Sequence, residues 1–101
     1  MILHERAVLS VATTDRHGQV VQFTVIASLP VELSPQRTDV DPSTGAFSTF
    51  YTVYGKKDVA LTTEHSFTIR GRRYRVSGPM EKHYVRGRFH HWEVVCELPA
   101  G

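Results

Sequence analysis

The stretch that decides the fold is Ser66-Phe67-Thr68-Ile69-Arg70-Gly71-Arg72-Arg73-Tyr74-Arg75-Val76. Apolar and polar side chains alternate on both sides of Gly71, and a period of two is typical of a β-strand with one buried face. Glycine supplies the positive φ that a tight turn needs. The stretch therefore predicts a β-hairpin whose arginines face water. The residues expected to face the core are Phe67, Ile69, Tyr74 and Val76.

Four other segments show strand character. The first two flank Asp15-Arg16-His17-Gly18, in which Asp opens a turn and Gly supplies a positive φ. In the second of these strands Val21, Phe23 and Val25 would share one face. The strands are expected at residues 7–13, 19–26, 47–54 and 89–96. Short strands separated by turns indicate an all-β fold, a small single-domain β-barrel over residues 1–101 with about six short antiparallel strands.

A long loop is predicted between the second and third strands, over about residues 28–46. It contains Pro30, Pro35 and Pro42, and proline lacks the N–H group that a central strand needs. Loops of this length usually carry a function or remain disordered. We therefore expect residues 34–46 to be mobile in an isolated subunit and to become ordered in an assembly.

The charge of the chain is mildly basic and unevenly placed. The 101 residues include 12 lysines and arginines and 10 acidic residues, which gives a net charge of +2. Four of the arginines lie in the hairpin, and this excess is smaller than duplex DNA binding usually needs. No run of about 18 apolar residues is present, so no membrane partner is expected.

No motif for catalysis or for a cofactor is present. The six histidines fall in separate segments, except that His90 and His91 are adjacent and would point to opposite faces of a strand. Cys96 is the single cysteine and lies in an apolar run, which indicates a packed thiol. We therefore expect no catalytic residue, no cofactor and no metal site, and we do not expect an enzyme.

Residues 64–79 resemble a known family. The stretch places Glu64 before the hairpin and ends in Tyr74-Arg75-Val76-Ser77-Gly78-Pro79. It is similar to the hallmark of the head-to-tail connector proteins of long-tailed phages, which are called head-closure or head-to-tail stopper proteins. Phe50-Tyr51-Thr52-Val53-Tyr54 resembles the third strand of that family. The closing His90-His91-Trp92-Glu93-Val94-Val95 resembles the last strand of versions from phages of actinobacteria.

The resemblance implies a structural subunit of a phage virion. In that family a ring of six copies lies at the neck of the virion, between a portal-side adaptor and the tail terminator and other tail proteins, after assembly in the host cytoplasm. The ring seals packaged DNA in the head, joins head to tail and forms part of the channel through which genomic DNA leaves, without sequence-specific contacts. By position, the long-loop residues expected to face the pore or grip the adaptor are Glu32, Ser34, Gln36, Arg37, Asp39, Asp41 and Ser43.

The arginines of the hairpin are expected to contact a neighbouring subunit or an adjoining ring, because guanidinium groups bind carboxylates through paired hydrogen bonds. The simpler interpretation is a solvated hairpin tip. These residues are Arg70, Arg72, Arg73 and Arg75. The alternative function is a small nucleic-acid-binding β-barrel that acts alone in the cytoplasm, because aromatic and basic residues interleave in the second half of the chain.

Overall fold

The computed structural model describes residues 2–99. These residues form seven β-strands, and none of them lies in a helix. Accordingly, residues 2–99 contain no helix long and apolar enough to cross a membrane. The strands are β1 (Glu5–Thr14), β2 (Val20–Val40), β3 (Phe47–Gly55), β4 (His65–Ile69), β5 (Arg72–Val76), β6 (Glu81–Val85) and β7 (Arg88–Pro99).

Six of the strands close into a barrel. The sheet has the order β3-β2-β1-β4-β5-β7-β6, and a further antiparallel pairing between β3 and β7 joins its two sides. Of the described strands, β6 pairs only with β7, and it extends the sheet outside the closed ring. The prediction of a small all-β barrel is therefore confirmed. The strands are not all short, since β1, β2 and β7 contain 10, 21 and 12 residues.

The hairpin predicted from residues 66–76 is confirmed. β4 and β5 pair with Phe67 opposite Tyr74, and all four residues predicted to face the core are buried. Arg70 and Gly71 form the turn, with φ angles of 52° and 78°. Two successive positive φ angles are typical of the two-residue turns whose twist matches that of paired strands.

The core is built around Trp92, whose side chain is fully buried. Its ring stacks on Phe67, with ring centroids 5.8 Å apart, and its Nε1 donates a hydrogen bond to the carbonyl oxygen of Lys57 at 2.7 Å. The ring also lies against Gly55, which faces it across the β3–β7 ladder. The other large side chains that are fully buried among residues 2–99 are Leu9, Leu29, Val31, Val53, Ile69, Val76, Val94 and Cys96.

The long loop expected at residues 28–46 is wrong over most of its length. β2 continues through Pro30 and Pro35, and only residues 41–46 form the turn to β3. β2 pairs with β1 up to Val31 and with β3 from Val31 onward. Each proline therefore lies where one side of β2 has no partner strand, and Pro35 also borders an irregularity in the register with β3. Strands accept proline at such edges and bulges.

We predict that Gly55→Ala lowers the free energy of unfolding by about 3 kcal/mol or more, because a methyl group at this position overlaps the Trp92 ring and must displace a packed core. Denaturant unfolding measures the change. Gly78→Ala is the matched control, since nothing lies within 4 Å of a Cβ at Gly78 and its φ is not in the left-handed region. Equal stability of the two variants would contradict the close approach of β3 to Trp92.

Candidate functional site

Strand alternation divides the four hairpin arginines between two surfaces. Arg70 and Arg72 line a shallow groove at one end of the barrel, beside Leu33. Arg73 and Arg75 line a second groove on the outer face of the barrel. The hairpin therefore does not present its four charges as one patch, although the residues are neighbours in the sequence.

Two of these arginines form ion pairs within the chain. The guanidinium of Arg70 forks onto Glu5 of β1, with Nε 3.0 Å from Oε2 and Nη2 2.5 Å from Oε1. Arg75 donates from Nη2 to Oε1 of Glu97 in β7 at 2.9 Å. Exposed pairs of this kind contribute little to stability, but they reduce the positive charge that the hairpin offers to another molecule.

The other two arginines differ in their surroundings. Arg73 places its guanidinium over the ring of Phe23, 3.4 Å from the ring centroid, which is a cation–π contact between β5 and β2. The side chain of Arg72 is exposed and makes no ion pair or hydrogen bond with any residue from 2 to 99. Arg72 is therefore the hairpin arginine whose charge is most available to a partner.

The residues predicted to face a pore or grip an adaptor are spread along β2. Glu32 lies at the start of the part of β2 that pairs with β3. Its Oε2 is 2.5 Å from Nδ1 of His4. This hydrogen bond is the main cause of a lowered pKa of the Glu32 carboxyl group. Arg37 pairs with Asp39, with Nε 3.2 Å from Oδ2, and its guanidinium lies 4.4 Å from the centroid of the Phe50 ring.

The remaining predicted residues lie on the strand or in the turn after it. Ser34 is opposite Thr52 of β3, and Gln36 is the additional residue at the irregularity of the register. Asp41 holds the turn, since its Oδ1 accepts hydrogen bonds from the backbone N–H and the hydroxyl of Ser43 at 2.9 and 2.7 Å. These bonds lower the pKa of the Asp41 carboxyl group. The seven residues thus form an extended ribbon and not one compact site.

A second ribbon is formed by the opposite end of β2 and by β1. Past the pair of Val11 with His65, the two strands leave β4 and continue together to the turn at Asp15. We call residues 13–26 the β1–β2 arm. The free edge of β2 along this arm pairs with no strand within residues 2–99, because β3 joins β2 only from Val31 onward. Its exposed large apolar side chains are Val20, Val21, Phe23, Val25 and Ile26.

The apolar side chains of the arm point outward because of a bulge. Leu9 of β1 faces the core opposite Ala27, but the next residue, Ser10, is opposite Val25, so that Ile26 is an additional residue. A shift of one residue moves the following side chains to the other face. Val25 is consequently 65 % exposed and Phe23 is 42 % exposed. The sequence shows the alternation of Phe23 and Val25, but it does not show the bulge.

The arm encloses a groove with the barrel wall. The groove has a volume of about 310 Å³ and is lined by apolar side chains of the arm, by the start of β4 and by two arginines of β5. At its floor, the hydroxyl of Ser66 is buried without a hydrogen-bond partner among the described residues. The residues that give the groove its apolar, hydrogen-bonding and basic lining are Val20, Phe23, His65, Ser66, Arg73 and Arg75. Its chemistry suits an apolar side chain accompanied by a hydrogen-bonding group or a carboxylate.

The sheet register brings two histidines together. His83 of β6 lies opposite His91 of β7, and Glu93 follows two residues later on the same face. One ligand atom from each of these side chains lies within 4.8 Å of the others, so that the three could hold a metal ion. Histidine spacings along a single strand do not reveal a pair that forms across two strands.

Cys96 is fully buried in the barrel. Burial raises the pKa of its thiol to about 12, because the thiolate would lose its hydration. A thiol with such a pKa is a poor nucleophile at neutral pH. The prediction of a packed, structural cysteine is confirmed.

The fold is shared with a chain of a virion. A chain in the virion of a native gene transfer agent (GTA) particle superposes with a TM-score of 0.76 over 99 % of this chain and 97 % of that chain. The two sequences are 14 % identical, so the likeness shows a common fold. No protein-family model matches the sequence, and no curated protein matches it.

Proposed function

We propose that this protein is a structural subunit of a phage-type virion, and specifically of the head-to-tail connector ring, as a stopper or head-closure protein. The observation that carries the proposal is the agreement of the whole fold with a chain of the gene transfer agent virion. The agreement extends over 99 % of this chain and 97 % of the other, so it concerns the whole domain. The sequence resemblance of residues 64–79 to phage connector proteins supports the same assignment independently.

The β1–β2 arm supports assembly with copies of the same chain. An unpaired strand edge with exposed apolar side chains invites pairing with another strand, and soluble proteins usually protect such edges. Here the edge carries five exposed large apolar residues on one ribbon. A neighbouring subunit that covers the arm would remove this surface from water. A contact between two different surfaces of one chain closes into a ring when the rotation between copies allows it.

We call β3 and the part of β2 that pairs with it, from Val31 to Val40, the β2–β3 ribbon. This ribbon is the proposed contact with the portal-side adaptor or with the channel. Asp39 lies near the end of β2 and Asp41 in the turn, and Val40 and Phe47 beside them are exposed apolar residues. Arg72, at the barrel end, is the proposed contact with an acidic surface of a neighbouring subunit or tail protein. Phage genomic DNA would pass the ring without specific contacts, as befits a channel that DNA must leave. The proposed location is the neck of the virion.

A nucleic-acid-binding barrel that acts alone receives less support. Such a protein needs a basic groove with exposed aromatic rings for base stacking. In this chain two hairpin arginines pair with carboxylates, and a third already covers the ring of Phe23. These contacts lower the positive charge and the aromatic surface that a single strand could use.

Deletion of the gene from the phage or prophage genome that encodes it tests the proposed function. We expect heads without tails that lose their DNA, and complementation with the wild-type gene restores tailed particles. Negative-stain electron microscopy and nuclease-resistant DNA measure the two effects. Normal numbers of tailed, DNA-filled particles from the deletion strain would refute a connector role.

We predict that Val25→Lys blocks assembly in the same complementation assay. The side chain is exposed in the monomer, so the stability of the free subunit should change by less than about 0.5 kcal/mol. In an interface, however, the ammonium group would be buried without a partner, which is strongly unfavourable. We expect at least a tenfold loss of tailed particles. Thr24→Lys, the same change at an exposed neighbour on the opposite face of the strand, is the control and should assemble normally.

We predict that Arg72→Glu also leaves the monomer folded and prevents head-to-tail joining. The substitution reverses the charge of the hairpin arginine that lacks a partner within residues 2–99, and a reversed charge repels an acidic partner surface. Arg88→Glu, at the exposed start of β7, makes the same change elsewhere. Equal numbers of tailed particles from both variants would contradict a partner contact at Arg72 and would indicate a solvated turn residue.

A further inference from the structure

The outer face of the β6–β7 hairpin carries two histidines and a glutamate in one cluster. His83 and His91 are directly opposite in the register, and their rings stack with centroids 4.7 Å apart and an angle of 5° between planes. Glu93 lies two residues beyond His91 and therefore points to the same face. Its Oε2 is 3.0 Å from Nε2 of His83 and 2.9 Å from Nε2 of His91.

We propose that His83, His91 and Glu93 form a Zn²⁺ site that holds β6 against the barrel. Imidazole nitrogen and carboxylate oxygen are ligands of zinc, with bonds of about 2.0–2.2 Å. Ligand atoms around a tetrahedral ion with such bonds lie roughly 3.4 Å apart. The three ligand atoms here all lie within 4.8 Å of one another. Small side-chain rotations thus bring them to coordination distance. All three ligands belong to one subunit, so the site does not require the proposed ring.

A fourth ligand is available at the same place. Glu81 of β6 lies directly opposite Glu93, and its Oε2 is 3.6 Å from Nε2 of His83. The two glutamates also line a shallow groove of about 150 Å³. Either Glu81 or water completes four-coordination.

Two features of the hairpin are unfavourable without a cation. Nε2 of His83 is buried and has no hydrogen-bond partner among the described residues, because Glu93 lies near it but not in a direction that forms the bond. Buried polar atoms in native proteins are normally paired. In addition, Glu81 and Glu93 are like charges at directly opposite positions, which destabilises a strand pair. A divalent cation bound at this cluster would give Nε2 of His83 a partner and would offset the repulsion between Glu81 and Glu93.

His90 is placed to orient one of the ligands. The register shifts after His83, so that His90 is an additional residue without an opposite partner, and its Nδ1 comes to 2.7 Å from Nδ1 of His91. When His91 donates its Nδ1 hydrogen to His90, its Nε2 keeps the lone pair that an ion needs. The bulge thus allows two adjacent histidines to act on one site, which a regular strand would prevent.

The consequence of the ion would be a fixed β6. Among residues 2–99, this strand pairs with β7 and with no other strand. A bond from an ion to His83 on β6 and to two residues on β7 joins the strands through their side chains. The ion is therefore assigned a structural role, in which it stiffens the hairpin at the outer wall of the barrel.

Calorimetric titration of protein without a histidine tag tests the proposal. We expect the wild type to bind one equivalent of Zn²⁺ and to show a higher unfolding temperature with zinc than with a chelator. Mg²⁺, which prefers oxygen ligands, should give neither effect. His83→Ala should weaken zinc binding by more than about 100-fold, and His90→Ala by roughly 10- to 100-fold, as for other residues that orient a ligand.

His17→Ala is the matched control, because His17 is an exposed histidine in the β1–β2 turn, away from the cluster. It should bind zinc as the wild type does. The proposal is overturned if the wild type binds no zinc at millimolar ion, or if folded His83→Ala binds it unchanged. If His83→Ala does not fold, the test uses the NMR resonances of the imidazole nitrogens of the wild type, recorded with and without zinc. Zinc must shift Nε2 of His83 and His91, and shifts confined to other histidines would refute the site.

Discussion

The contact between the Trp92 ring and the backbone of Gly55 is the constraint on which the barrel depends. It lies in the ladder between β3 and β7, the pairing that turns an open sheet into a closed one. Closure joins the two end strands of the barrel part of the sheet and creates one interior for the buried side chains. A side chain at Gly55 would separate the two strands at the point where they must meet. The Trp92 indole N–H is satisfied by the Lys57 carbonyl just beyond β3, so the same residue also fixes the chain that follows.

The long β2 strand links this closed core to the surfaces that a partner could use. One half of it pairs with β1 and the other half with β3. The β1–β2 arm extends as a two-stranded ribbon, and the ribbon of β2 with β3 is accompanied by β7 as far as Ser48. One ribbon carries apolar side chains and an open edge, and the other carries the acidic turn. Both ribbons therefore place surface that a partner could contact outside the closed barrel.

Bulges decide which side chains are available on the surface. In β2 the additional residue Ile26 places Phe23 and Val25 on the face away from the core. In β7 the additional residue is His90, and the bulge brings its ring to that of His91. In both places one residue inserted in a strand changes the face on which the following side chains lie. The apolar arm and the histidine cluster, which have different chemistry, therefore have a common structural origin.

The sequence alone determined the all-β class, the β4–β5 hairpin, its four core residues and the buried thiol of Cys96. These features depend on alternation and turn chemistry within about ten residues, which the chain shows directly. Tertiary structure alone decided that Pro30 and Pro35 lie within a strand, because a proline is tolerated only where one side of that strand has no partner. It also divided the hairpin arginines between two surfaces and brought His83 opposite His91. Such outcomes depend on strand order and register between segments far apart in the chain, and no local pattern of residues contains that information.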